Sequence, residues 1–197
     1  MGSHDPEVRF ELAGVLRALG ENEQAQQQFK LYQQEAQAKS DLTQAAAKAA
    51  FADQKVAAGE LQQAVDLYRE ALAAAPKEAS LAYKLAMALD KLGDTVNERL
   101  ALEQTIQIDP NMAEGQNQLG YLALRAEETD SAEQHFRMAV HASPGFAKAW
   151  VNLAATLYLE SKLPEAKEAV ERALQAEPAN PQAQKLKSVL DSGQPPR

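Results

Sequence analysis

Four prolines, Pro76, Pro110, Pro144 and Pro178, follow one another at a constant spacing of 34 residues. Unrelated helices or strands have no reason to keep such a period, so the chain is built from one supersecondary unit used repeatedly. In the last full copy, Ala147 to Pro178, Trp150, Leu153, Ala154 and Leu157 recur at i, i+3, i+4 and i+7 and share one face of a helix. Ala166, Val170 and Ala173 do the same on a second helix. The small residues Ala154 and Ala166 let two antiparallel helices approach to about 8–10 Å between axes. Pro178 closes the unit because it has no N–H to donate and disfavours helix in the residue before it.

The other copies keep these slots. The leading apolar slot reads Phe51, Leu85, Leu119 and Leu153, and the small slot after it Ala52, Ala86, Gly120 and Ala154. On the second helix the small slot reads Ala64, Ala132 and Ala166, the large one Tyr68, Leu102, Phe136 and Val170, and the next small one Ala71, Ala139 and Ala173. One copy departs, with Glu98 and Thr105. A carboxylate facing the partner helix is costly unless paired, so Glu98 is expected to accompany a local register adjustment or a neighbouring Lys or Arg. Gly20, Gly59 and Gly93 mark the turn between paired helices, where a left-handed residue is cheapest. Glu127 and Ser161 hold that slot in the last two copies, so those turns either adopt another conformation or are strained.

The unit resembles the tetratricopeptide repeat, a 34-residue helix-turn-helix with this ladder of large and small residues. Trp150, Gly120, Ala132, Phe136, Ala139 and Pro144 match the family pattern best. The resemblance implies an all-α, right-handed superhelical solenoid whose concave groove is lined by the first helix of each pair and binds peptide segments. It does not imply an enzyme, and neither enzymatic activity nor a cofactor is expected.

From Pro6 the template fits once more, with Leu12, Ala13 and Leu16 on the first helix and Ala25, Phe29 and Tyr32 on the second. The array is therefore expected to hold about five repeats, at 6–39, 45–78, 79–112, 113–146 and 147–180, followed by a solubilising cap helix over 181–191 that turns Ala183, Leu186, Val189 and Leu190 to the array. Together they form one domain over 5–191, with a flexible tail at 192–197. Residues 1–4 read as the remnant of an expression tag. Asp5 before Pro6 reads as a helix N-cap, and that pair resembles Asn180-Pro181, which follows a repeat-ending proline. The first repeat starts 39 residues before the second, so five residues are inserted and its second helix runs long. Gln33 to Gln44 contains no Gly or Pro and is rich in helix formers. Ser40 or Asp41 would cap a new helix or sit on a continuous one; the expectation is a break or kink near Lys39 to Leu42.

The formal charge of −8 argues against general nucleic-acid binding, and no apolar run approaches the ~20 residues of a membrane span. Without cysteine there is neither a disulfide framework nor a thiolate metal site or nucleophile; the composition suits cytoplasm and periplasm alike. His135 and His141 have no metal-ligand spacing and are expected at the surface, while Glu127, Glu128 and Asp130 read as a solvated helix start.

By the family's geometry, the face of each first helix beside the packing ladder points into the groove. The third repeat then contributes Tyr83, Lys84, Met87 and Lys91, the fourth Asn117, Tyr121, Leu124 and Arg125, and the fifth Lys148, Val151, Asn152 and Tyr158. Lys84, Lys91, Arg125 and Lys148 stand against Asp90 and Glu114, so the groove is locally basic as well as aromatic. That pattern suits an acidic and aromatic partner segment. One subclass of the family clamps the C-terminal carboxylate of heat-shock chaperones with Lys, Asn and Arg. Here Lys148 stands where a clamp lysine would, but Asn152 replaces the Arg, and Tyr83 and Met87 replace the first Lys and Asn; a chaperone clamp is not implied. The alternative function is a self-assembly module of a longer repeat protein. An upstream repeat is expected to have been cut away, leaving Val8, Leu12 and Val15 exposed for homo-oligomerisation through the N-terminal end.

Overall fold

A computed structural model describes residues 6–193. Residues 1–5, with Asp5, and residues 194–197 of the expected tail lie outside the described residues. The helices are α1 (Pro6–Ala18), α2 (Asn22–Ala57), α3 (Leu61–Ala74), α4 (Ala79–Leu92), α5 (Thr95–Ile108), α6 (Ala113–Arg125), α7 (Thr129–Ala142), α8 (Ala147–Leu159), α9 (Leu163–Ala176) and α10 (Pro181–Asp191). No strand occurs among the described residues. The chain divides between Lys77 and Glu78 into two compact units, the second a stack of helical hairpins and the first built on one long helix.

In the second unit α4 pairs with α5, α6 with α7 and α8 with α9, while α5 packs on α6 and α7 on α8. The repeated slots form its core: Leu102, Leu119, Leu122, Phe136, Leu153, Leu157 and Val170 are at most 2% exposed. The close approach that small residues permit is sharpest at Gly120, where a Cβ would stand 2.7–2.9 Å from the Phe136 ring. Each proline-ended loop is tied down by the residue six positions later. Gln116 Nε2 donates to the Pro110 carbonyl (3.0 Å), Trp150 Nε1 to that of Pro144 (2.8 Å) and Gln184 Nε2 to that of Pro178 (2.9 Å). Ion pairs also cross from one repeat to the next: Glu133 on α7 meets Lys162 before α9 at 2.6 Å, and Arg137 meets Glu165 at 2.6 Å. Burial pushes the Glu133 carboxyl up, but the bonds from Lys162 and Arg137 outweigh it and hold the group down at about 2.

Helix α10 closes this unit against α9 and α8. Asn180 caps it by accepting from the Ala183 N–H (3.0 Å), Ala183 and Leu190 are buried, and Lys187 pairs with Glu171 of α9. The turns at Glu127 and Ser161 are left-handed, φ 61° at both, like the glycine turns at Gly20, Gly59 and Gly93. An L-residue there costs about 1–2 kcal/mol, partly offset in a glycine variant by lost backbone entropy on folding. Ser161→Gly is therefore expected to stabilise this unit by roughly 0.5–1 kcal/mol, read from urea unfolding followed by tryptophan fluorescence.

In the first unit α1 and α3 both pack on α2, a single helix of 36 residues. Of the break or kink expected near Lys39 to Leu42, the break does not occur: helical structure runs through the stretch without interruption. The polar residues there bond along the helix instead of capping a new one. Gln37 Nε2 donates to Asp41 Oδ1 (2.8 Å), and Thr43 Oγ1 donates to the Lys39 carbonyl (2.8 Å). The continuous helix has a consequence for the core slots. Ala52, Ala64, Tyr68 and Ala71 are buried as the template requires, and Ala45, Ala49, Val65 and Leu72 are buried with them. Phe29 and Phe51, placed in core slots by the repeat pattern, are instead 41% and 49% exposed.

Candidate functional site

The twelve residues assigned to the groove all fall on α4, α6 and the first helix of the last pair, α8, within the second unit. Tyr121 is the most prominent. It lies on the middle helix, 47% exposed, with the Arg125 guanidinium 6.0 Å from its ring centroid, an arrangement one helical turn produces. Lys91, in the last turn of α4, and Lys148, in the first turn of α8, are also exposed.

The remaining positions are more enclosed. Tyr83 is half-buried; burial raises its hydroxyl pKa, and Glu114 raises it further from α6. Lys84 is half-buried, and so is Met87, whose sulfur receives the Gln118 amide at 3.7 Å and ties α4 to α6. Leu124, Val151 and Tyr158 pack partly against the core of the last two repeats. Asn117, assigned to the groove, is 2% exposed, and its Oδ1 accepts from Asn152 Nδ2 at 2.8 Å. That bond joins α6 to α8 and leaves Asn152 half-buried. The two asparagines therefore set the spacing of neighbouring first helices rather than offering free amides.

Two enclosed polar groups lie outside the twelve assigned positions. Glu98 is 1% exposed, and neither carboxylate oxygen has a hydrogen-bond partner. Burial raises its pKa above the ordinary 4.5, Asp90 adds to the rise, and Arg125 and Arg99 oppose it. Of the two expected forms of relief, the neighbouring arginines are present, as Arg125 and Arg99, without a hydrogen bond to the carboxylate, and the register adjustment is absent. Glu98, Leu102 and Thr105 all remain in the buried slots, so the register is kept, while Arg99 pairs with Glu128 at 3.7 Å. Glu98 thus adds a concealed acid close to Arg125. His135 is half-buried instead of lying at the surface; its Nδ1 bonds with Gln116 Oε1 (2.9 Å), and burial, then Arg99, lowers its pKa. The slot of Glu98 was visible in the sequence, but its proximity to Arg125 on the next repeat depends on the packing.

Two tetratricopeptide-repeat models match the chain, over residues 49–113 and 123–190. Together they span more than half of it, and the chain belongs to the tetratricopeptide repeat family. Among solved structures it is similar to the MamA protein, with 20% identity and a TM-score of 0.67 over 76% of this chain and 82% of that one. It is also similar to YrrB, described as a TPR protein with an unusual peptide-binding site, with 21% identity and a TM-score of 0.61 over 95% of this chain and 94% of that one. For pilF of Pseudomonas aeruginosa the figures are 19%, 0.70, 95% and 83%. At these identities the likeness is one of fold. No curated protein sequence matches.

Proposed function

We propose that the second unit is a non-enzymatic scaffold that holds a segment of a partner protein along α4, α6 and α8. The observation that carries this reading is Tyr121: a large aromatic, 47% exposed, kept at the surface of the middle helix under a guanidinium while the slots around it are filled. A packing role would bury it; recognition uses such a side chain, which combines apolar area with a polar tip at small entropic cost. Lys91, Arg125 and Lys148 around it favour a segment carrying acidic side chains together with apolar or aromatic ones. YrrB, a structural neighbour with a peptide-binding site, lends support from a related architecture.

Affinity for a short segment is expected near micromolar, about −8 kcal/mol, because ordering a flexible peptide offsets much of the contact energy. Titration calorimetry against a peptide selected from a library separates the contributions. Tyr121→Ala is expected to weaken binding about ten-fold or more at every salt concentration. The Arg125→Ala/Lys148→Ala variant is expected to weaken it mainly at low salt, since exposed charges are screened beyond about 10 Å at 0.1 M. If both variants retain wild-type affinity with their circular dichroism unchanged, this face does not recognise the peptide.

A further inference from the structure

We propose that the first unit pairs with a second copy of this chain, α2 lying antiparallel against α2, so that each copy's second repeat occupies a seat left empty on the other's first. The seat is an open groove of about 900 Å³ between α1 and the N-terminal half of α2, with Phe10, Ala13, Gly14, Phe29, Lys30 and Gln33 among its lining residues. Its lining follows the repeat slots. In the fourth repeat the equivalent surface, carrying Asn117, Phe136 and Val140, is covered by α8, the first helix of the next repeat, which brings Ala149, Leu153 and Asn152 onto it. In the first repeat that successor helix does not fold back, because residues 45–57 continue α2 as one unbroken helix.

The face that would fill the seat is equally bare. Ala47, Phe51 and Gln54 hold the slots that are buried in the last two repeats as Gly115, Leu119 and Leu122, and as Ala149, Leu153 and Thr156. All three are exposed, Phe51 at 49% where Leu119 and Leu153 are at 2%. Helix α2 thus carries the occupant and one wall of the seat, and while it stays unbroken neither can satisfy the other within one chain. Phe29 and Phe51 are 22 residues apart by number, or about 33 Å along the axis. Phe29, Gln33, Ala36, Ser40, Ala47, Phe51 and Gln54 recur at spacings of three, four or seven and so lie along one stripe.

A second copy, turned end over end, presents the Phe51 half to the Phe29 half at both ends simultaneously. Consecutive helices of the array are antiparallel in the same way. The arrangement is self-complementary, closes on itself, and doubles the area of a single repeat junction, which brings it toward the ~1,200–2,000 Å² that stable association requires. The exposed α1 residues Val8, Leu12 and Val15 occupy the same three slots of the first repeat, but docking them into the seat would form one junction per copy and propagate without closing.

The chain has no cysteine, so introduced pairs report directly. A Cβ at Gly115 would lie 3.5 Å from Ile106 across a formed junction, and Ala47 and Gln33 are the matching slots. In the full chain carrying Gln33→Cys and Ala47→Cys these positions are about 21 Å apart on one helix; mild oxidation is expected to give a covalent dimer in high yield, and neither single variant is expected to do so. By sedimentation velocity the wild type is expected to be a dimer, and Phe51→Glu is expected to raise the dissociation constant roughly a hundred-fold with helicity unchanged, because each dimer then buries two unpaired carboxylates. An intramolecular disulfide would overturn the proposal, since α2 would then break and the second repeat fold back on its own first. Cross-linking of Gln33→Cys to Val8→Cys in place of Ala47→Cys, or a monomer that does not cross-link at all, would overturn it as well.

Discussion

Gly120→Ala is expected to destabilise residues 78–193 by about 2–3 kcal/mol, although Ala fills the same slot in the other repeats as Ala52, Ala86 and Ala154. The cause is the partner side chain. A Cβ at Gly120 would stand 2.7–2.9 Å from three ring atoms of Phe136, which is fully buried. The other repeats pair their Ala with Tyr68, Leu102 or Val170. Phe136→Leu with Gly120→Ala recreates the Ala86 and Leu102 combination, and the double variant is expected to be more stable than the sum of the single changes by at least about 1 kcal/mol. Urea unfolding read through Trp150, the only tryptophan in the chain, follows this core selectively. A neutral Gly120→Ala, with no coupling to Phe136, would mean that the ring can move aside.

Replacing Glu98 should act in the opposite direction. Glu98→Met keeps the length of the side chain and removes a carboxylate whose two oxygens are buried without a hydrogen-bond partner; a gain of about 2 kcal/mol is expected near neutral pH. The pH dependence identifies the origin of the gain. Burial and Asp90 raise the folded-state pKa above the ordinary 4.5, so the folded chain holds this proton more tightly than the unfolded chain. Below about 4.5 the group is protonated in both states and there is no ionisation penalty; above it the wild type loses stability as pH rises, by at most about 1.4 kcal/mol per unit, until the folded pKa is passed. Glu98→Gln isolates this part. Its advantage over the wild type is expected to grow from about pH 4.5 upward and then level off, and an advantage independent of pH would show that Glu98 is not ionising inside the fold.

The sequence revealed the ladder of slots because each slot is written several times, and an isolated substitution cannot hide the period. It also showed Tyr121 on an outward face. Partnerships between slots were less legible. Gly120 read as one more small residue until the Phe136 ring was found against it, and Asn117 read as a groove residue because its partner, Asn152, is 35 positions away. Phe29 and Phe51 were misplaced for a related reason: a repeat template assumes that each unit folds back on the one before. The stretch from Gln33 to Gln44 had no Gly or Pro to turn the chain, and Ser40 and Asp41, read as possible caps, remain within the helix.

Helix α2 has a further consequence, for how the first unit comes apart. In a stack of separate hairpins each repeat touches only its neighbours, and a terminal hairpin can fray while the others persist. Here no loop separates the supports of α1 and α3, since both lean on one helix whose backbone ladder passes from one repeat into the next. Amide exchange along residues 22–57 should therefore proceed through a shared opening event, with the protection of the weakly packed α1 end and the well-packed α3 end converging on a single free energy.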